Sequence, residues 1–244
     1  PVITERDLSG VFFKGALAEH IAFLHGARTQ EQLEEFGCKW WSRWVTKERT
    51  AIFNLPEGDL GDGSYGAAWA AFPTAEGKPF NQIEHLMKQI KERPYLRTHI
   101  LSPWIPQYTL QHEGLTRRVL QHEGLTRRVV VAPCHGYVHV LCFPETKELV
   151  IHHFQRSGDL PVGVPFNFMQ YAAFGMMVSQ LIGYTLKEVV YTFSDVHIYE
   201  SQYEKVNQII GREPRKLPTV QLSESAKDIA DIMDFRPEHF ELTD

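Results

Sequence analysis

Apolar residues recur at helical spacing from Val11 to Gly26, through Phe12, Phe13, Ala16, Leu17, Ile21, Phe23 and Leu24, with Gly26 as a C-terminal cap. The spacing predicts a core-facing helix. Glu19 interrupts it, and periodicity alone places that carboxylate on the solvent edge of an imperfect stripe. Were it buried, its pKa would rise and it would need a partner. Thr29 to Phe36 predicts a second, short helix. Pro79 to Arg93 predicts a third, carrying Ile83, Leu86, Met87 and Ile90 and stopped by Pro94. Arg97 to Trp104 reads as a strand. Val129 to Val131, Tyr137 to Phe143 and Leu149 to Phe154 are rich in β-formers, and Pro144-Glu145-Thr146 turns the last two into a hairpin. Phe166 to Gly183 predicts a long buried helix in which Met169, Met176 and Met177 act as core filler. Val189 to Tyr199 predicts a strand with Asp195, His197 and Tyr199 on one face, where burial would be costly unless they bind something. Glu200 to Ile210 reads as helix, Lys216 to Leu222 as strand and Ser223 to Ile232 as helix.

Composition narrows the class. The chain has 244 residues, 43% of them hydrophobic and 23% charged, with no Pro/Gly/Ser-rich linker, so a single globular domain is expected. A net charge of −5 gives no basis for a nucleic-acid surface, which draws on excess Lys and Arg. Cys38, Cys134 and Cys142 form neither a disulfide framework nor a metal-ligand spacing, which favours a reducing cytosol. The most apolar stretch, Tyr171 to Tyr184, is too short and too polar to span a bilayer, and no secretory signal opens the chain. Pro1 at the start and Phe240 to Asp244 at the end suggest a chain clipped at both ends.

Candidate chemistry gathers around Ala132-Pro133-Cys134-His135. Cys134 follows a β-branched run with Pro133 before it, an arrangement expected where a strand ends and a side chain faces a cleft. A thiolate needs nearby positive charge, and Arg156 lies on the next strand of the same hairpin. Trp40, Trp41 and Trp44 crowd together, either as core or as a platform for a planar ligand. Gly58 to Gly66 lacks the context of a phosphate-binding loop and reads as a shaped loop presenting Tyr65. Leu110 to Val119 is repeated without change at Leu120 to Val129, and its Arg117, Arg118, Arg127 and Arg128 read as solvated charge.

In order and spacing these pieces resemble the thymidylate synthase family. The matching text is Gly58-Asp59-Leu60-Gly61 with Tyr65-Gly66 and Trp69, then Ser102-Pro103-Trp104, Ala132 to His135, Gln155 to Asp159, Gly163 to Asn167 and Asp195 to Tyr199. The resemblance implies an α+β fold, a large mixed β-sheet packed by helices, in a single domain over 1–244. It also implies a cytoplasmic homodimer with sheets back to back. The implied reaction is reductive C5-methylation of dUMP to dTMP by 5,10-methylenetetrahydrofolate, with no metal, through a cysteine adduct at C6. On that resemblance Cys134 is the nucleophile, and Arg156 keeps it ionised and touches the phosphate. Glu19 organises proton transfers, and Tyr65 assists removal of the C5 proton. Asn167 reads the pyrimidine edge, which selects uracil over cytosine. Arg97, Gln155 and Ser157 bind the nucleotide, and His197 and Tyr199 its 3′-hydroxyl. Asp159 holds the pterin, with Trp41 and Trp44 near the folate, and His135 is architectural. Two other outcomes are carried: a dUMP hydroxymethylase in which water captures the same adduct, and a weakly active nucleotide-binding relative. Arg97-Thr98 stands where the family has adjacent arginines, so either an arginine of the repeat replaces the lost charge or nucleotide affinity is low. The family's N-terminal arginine loop and C-terminal closing tail are expected outside this chain. Ala67-Ala68, Ala70-Ala71 and Ile105 are further departures near the expected rim.

Overall fold

The computed structural model describes residues 5–8, 10–109 and 127–243. In chain order the first elements are α1 (Val11–Leu24), α2 (Gln30–Glu35), α3 (Lys47–Ala51), α4 (Tyr65–Ala70), α5 (Gln82–Glu92), β1 (Ile100–Leu101) and α6 (Pro106–Thr109). There follow β2 (His135–Phe143), β3 (Glu148–Gln155), β4 (Gly158–Asp159), α7 (Gly163–Ile182), β5 (Thr185–Phe193) and β6 (Val196–His197). The chain closes with α8 (Tyr203–Ile210), β7 (Thr219–Leu222) and β8 (Phe240–Thr243).

Helix α1 is buried nearly all round. Phe13, Ala16, Leu17, Ala18, Ile21, Ala22, Phe23 and Leu24 are all core residues, so no solvent stripe exists for Glu19 to edge. Glu19 is itself buried, which corrects the solvent-edge expectation. Helix α7 is the second buried rod, ended by Gly183 in the left-handed region at φ 67°. Helix α2 opens on a capping box between Thr29 and Gln32. Asn81 caps α5 through bonds of 3.1 Å from Ile83 and Glu84 N–H, so that helix starts at Gln82, three residues beyond the expected Pro79.

The fold is a mixed sheet packed by helices. Strand order is β1-β2-β3-β5, antiparallel across the first two pairings and parallel between β3 and β5, with α7 as the crossover. Two short ribbons pair β4 with β6 and β7 with β8. Core residues from Phe13 to Phe240 join in one apolar cluster. None of the helices among the described residues is long and apolar enough to cross a membrane.

Several predicted elements are shorter than their pattern. The strand expected over 97–104 shrinks to β1. Gln82 Oε1 takes the Ser102 N–H at 2.9 Å and Pro103 has none to give, so the ladder stops. The strand expected over 189–199 begins at Thr185 and breaks after Phe193, because its partner β3 ends at Gln155. The chain then transfers to β4, so Asp195, His197 and Tyr199 do not share one buried face, and Asp195 and Tyr199 are exposed. The helix expected over 223–232 becomes separate 3-10 turns, with Ser223 N–H bonded to His239 O and Asp231 capping Met233. Val129 to Val131 is not a strand. It lies against the Gly58 to Gly66 loop, where Val130 N–H reaches Leu60 O at 2.9 Å.

That loop is held by charge. Arg28 grips Asp59 in a two-pronged pair at 2.7 and 2.6 Å, and Asp62 bridges Arg28 and Arg128. The repeat's first copy and most of its second lie outside the described residues. Of its arginines, Arg127 donates to the carbonyls of Val129 and Val130, and Arg128 pairs with Asp62, so both are engaged rather than simply solvated. Gly61, at φ 97°, passes so close to the Arg128 carbonyl that a Cβ would sit 2.3 Å from its oxygen.

Gly61→Ala is therefore expected to destabilise the protein by about 2–3 kcal/mol through strain and steric clash. Urea unfolding would measure it, and an unchanged midpoint would refute the close approach.

Candidate active site

One cleft of about 390 Å³ collects most of the chemistry. Glu19, Trp41, Trp44, Tyr65, Cys134, Gln155, Ser157, Asp159 and Asn167 line it. A second groove of about 460 Å³, between α1, α7 and β5, is walled by Phe, Leu, Met, Ala and Val side chains and one tyrosine. Tyr191, its single polar side chain, donates its hydroxyl to Asn167 O at 2.6 Å, so the chemistry belongs to the smaller cleft.

Cys134 stands at the entry to β2 rather than at the end of a strand. Its N–H donates to Tyr65 Oη at 2.7 Å, and its carbonyl accepts from Arg156 N at 2.8 Å, where the β2–β3 ladder begins. All three cysteines are free. Cys38 and Cys142 are buried, and burial pushes both thiols up, Cys142 to about 11. Cys134 alone among them faces the cleft. Arg156 sits beside it but turns its guanidinium onto the chain leading to the cysteine, donating to Pro133 O at 2.8 Å and Ala132 O at 3.0 Å. Its carbon centre lies 5.4 Å from the ring centroid of Trp104.

Glu19 is 9% exposed and accepts from three side chains. Trp40 Nε1 and Trp41 Nε1 both reach Oε1, at 2.6 and 2.5 Å, and Gln170 Nε2 reaches Oε2 at 2.5 Å. Burial raises its pKa and the three donors oppose the rise, with burial the stronger. Tyr65 is buried, and that burial, with Cys134 beside it, keeps its phenol neutral well above the ordinary tyrosine range.

The amide of Asn167, in the second turn of α7, is held on two sides. Gln155 Nε2 donates to its Oδ1 at 3.0 Å, and its Nδ2 donates to Gln170 Oε1 at 3.1 Å. Ser157 Oγ donates to Asp195 Oδ2 at 3.3 Å, and the same carboxylate oxygen lies 2.7 Å from His197 Nδ1. Gln202 Nε2 donates to both oxygens of Asp159 at 3.0 Å. Trp44 is 38% exposed, with the guanidinium groups of Arg43 and Arg49 over its ring.

Arg156, Arg97, His197 and Tyr199 do not line the cleft. His197 is nonetheless drawn beside it, because β6 pairs with β4 and sets His197 against Asp159. Arg97 is exposed. Sequence reading missed Trp40 as a donor to Glu19 and Gln170 as a bridge between Glu19 and Asn167. The second had a signal: Asn167 and Gln170 are three residues apart on a buried helix, which places them on one face.

His135, which also lines the cleft, packs with His20 and His153 around Tyr171, all buried. His135 Nδ1 is 2.6 Å from the Tyr171 hydroxyl, and the His153 ring stacks on the Tyr171 ring at 3.9 Å between centroids. Burial lowers His20 and His153 to about 3, and lowers His135 well below the ordinary histidine value.

A family model for thymidylate synthase matches residues 1–244. The chain belongs to the thymidylate synthase family. That membership carries a class of reaction, one-carbon transfer from methylenetetrahydrofolate to dUMP, and with it a methyl-transferring enzyme. In this thymidylate synthase family member the cleft wall combines indole and phenyl rings with the Asp159 carboxylate and the Asn167 amide.

The buried histidines make the protein less stable as pH falls. Their folded values lie below the unfolded value near 6.5, so the unfolded chain binds more protons as pH falls from 6.5 toward 3. Stability is full above pH 6.5 and is lost on acidification, by about 1.4 kcal/mol per pH unit for each histidine kept neutral. Replacing one of them, as in His20→Phe, should flatten the slope by about that amount in urea unfolding at pH 7, 6 and 5. Parallel slopes for parent and variant would count against a neutral, buried His20.

Proposed function

We propose that this protein is a thymidylate synthase in the strict sense, converting dUMP to dTMP by reductive methylation. The observation that carries the reading is the convergence of Cys134, Glu19, Tyr65 and Asn167 on one cleft. When bound, methylenetetrahydrofolate supplies both the carbon and the hydride.

The proposed roles follow from position. Cys134 Sγ adds to C6 of the pyrimidine, which makes C5 a carbon nucleophile. Glu19 sits under three N–H donors with a raised pKa, suited to hold and release a proton through water at the pyrimidine O4 and the departing folate nitrogen. Tyr65 stays a neutral phenol whose oxygen accepts from the Cys134 N–H, so its own O–H passes a proton from C5 through water rather than acting as a phenolate base. Asn167 has one amide hydrogen and one lone pair left after its bonds to Gln170 and Gln155, enough to donate to O4 and accept from N3–H. Gln155 supports that pose. Arg156 uses Nε and Nη2 on backbone carbonyls, which leaves Nη1 for the nucleotide phosphate, with Ser157 beside it. Asp159 holds the pterin, with Trp41 and Trp44 near the folate, and His197 and Tyr199 serve the 3′-hydroxyl. Charge at the phosphate is completed by Arg97 from a second copy. Pairing of copies is supported by the apolar groups Ile100, Tyr137 and Phe143, exposed on the sheet.

The product decides between synthase and hydroxymethylase. Incubation with dUMP and methylenetetrahydrofolate should yield dihydrofolate and dTMP together, read by absorbance and mass spectrometry, with Cys134→Ser abolishing turnover while retaining nucleotide. A hydroxymethylated nucleotide without dihydrofolate would replace the synthase reading by the hydroxymethylase. Asn167→Asp should move preference from dUMP toward dCMP by about tenfold or more. Unchanged preference would remove Asn167 from base recognition.

A further inference from the structure

Gln170 lies one turn beyond Asn167 on α7 and is 1% exposed. Its side chain touches three groups. Nε2 reaches Glu19 Oε2 at 2.5 Å and Ala16 O at 3.2 Å, and Oε1 receives Asn167 Nδ2 at 3.1 Å. A carboxamide has nearly the same shape either way round, so its hand is decided by its partners. Here the decision is forced. A backbone carbonyl and a carboxylate oxygen both accept, so the NH₂ end must face them and the oxygen must face Asn167.

We propose that Gln170 is a specificity-setting residue, which transmits the acceptor character of Glu19 to Asn167 and locks the Asn167 amide in the one hand that reads uracil. The inference rests on the reading that Asn167 faces the pyrimidine. A flipped Asn167 would set its oxygen against Gln170 Oε1 and its NH₂ against Gln155 Nε2, turning two hydrogen bonds into two repulsions inside the protein. Uracil offers an acceptor at O4 beside a donor at N3, and cytosine offers a donor beside an acceptor. An amide free to turn over serves both bases, whereas an amide held at both ends serves uracil alone. Gln155, its other amide hydrogen on Ser157 O at 3.0 Å, holds the oxygen end of the Asn167 amide, and Gln170 holds the nitrogen end. Gln170 is also a positioning residue for Glu19, as one of the three donors that fix that carboxylate. Base choice and proton transfer thus share one side chain.

The test compares equilibrium dissociation constants for dUMP and dCMP in the parent, Gln170→Leu and Asn167→Asp. Gln170→Leu keeps the approximate volume and removes both hydrogen-bonding ends. The dCMP/dUMP ratio of dissociation constants should fall about tenfold, with dUMP binding weakened and dCMP binding unchanged or improved. A merely structural role would weaken both nucleotides alike and leave the ratio where it was, and that result overturns the proposal. Asn167→Asp separates the two layers. If it leaves the ratio unmoved, base reading by Asn167 fails. If it moves the ratio while a folded Gln170→Leu does not, the lock alone fails. Should Gln170→Leu not fold, the parent answers through its side-chain amide resonances. Without nucleotide, the Asn167 NH₂ protons should exchange with water far more slowly than those of exposed Asn54. Equal exchange rates would overturn the lock.

Discussion

A carboxylate buried among apolar helices costs several kcal/mol unless donors surround it, and the interior of this protein is arranged to meet that demand at Glu19. Two indoles from the segment after α2 and one amide from α7 converge on its two oxygens. The same three bonds tie together stretches far apart in sequence, around residues 19, 40 and 170. Packing and chemistry are not separable here. The groups that make the charge tolerable also form the cleft wall and hold Asn167, so a change meant only for the core reaches the site.

Much of this was legible in the sequence and some was not, for physical reasons that differ by element. Helices α1 and α7, the β2–β3 hairpin and the left-handed Gly26 that ends the first helical segment follow from pattern and turn chemistry, which are local. The placing of Glu19 failed because α1 is apolar on nearly every side, and a helix with no wet face has no edge on which to put a charge. Strands expected over 97–104 and 189–199 lost their outer parts because a strand lasts only as long as its partner. One end was taken by Gln82, and the other ran past the end of β3. Such limits are set by tertiary neighbours that no window of sequence contains.

The candidate site shows the same division. Motif text located Cys134, Gln155, Ser157, Asp159 and Asn167, each now at one cleft. Arg156 was expected to face the thiol, yet two of its donors brace the carbonyls of residues 132 and 133. A guanidinium has enough donors to fix the chain and still meet an anion, so its first duty here is geometric. Trp40 and Gln170 were passed over because their importance lies in what they touch, not in their residue type. The neutral histidines around Tyr171 add a second buried polar layer behind the nucleophile.

Asp62 holds Arg28 from the end of the first helical segment and Arg128 from the chain just ahead of Cys134. The backbone is pinned at the same place, with Arg128 O accepting from Gly63 N–H and Leu60 O from Val130 N–H, both at 2.9 Å. The register of the cysteine against Tyr65 is therefore set downstream of residue 126, by contacts that take no account of how much chain precedes them. The clamp works as an insulator: it lets length vary on one side while the reacting atoms on the other stay in place.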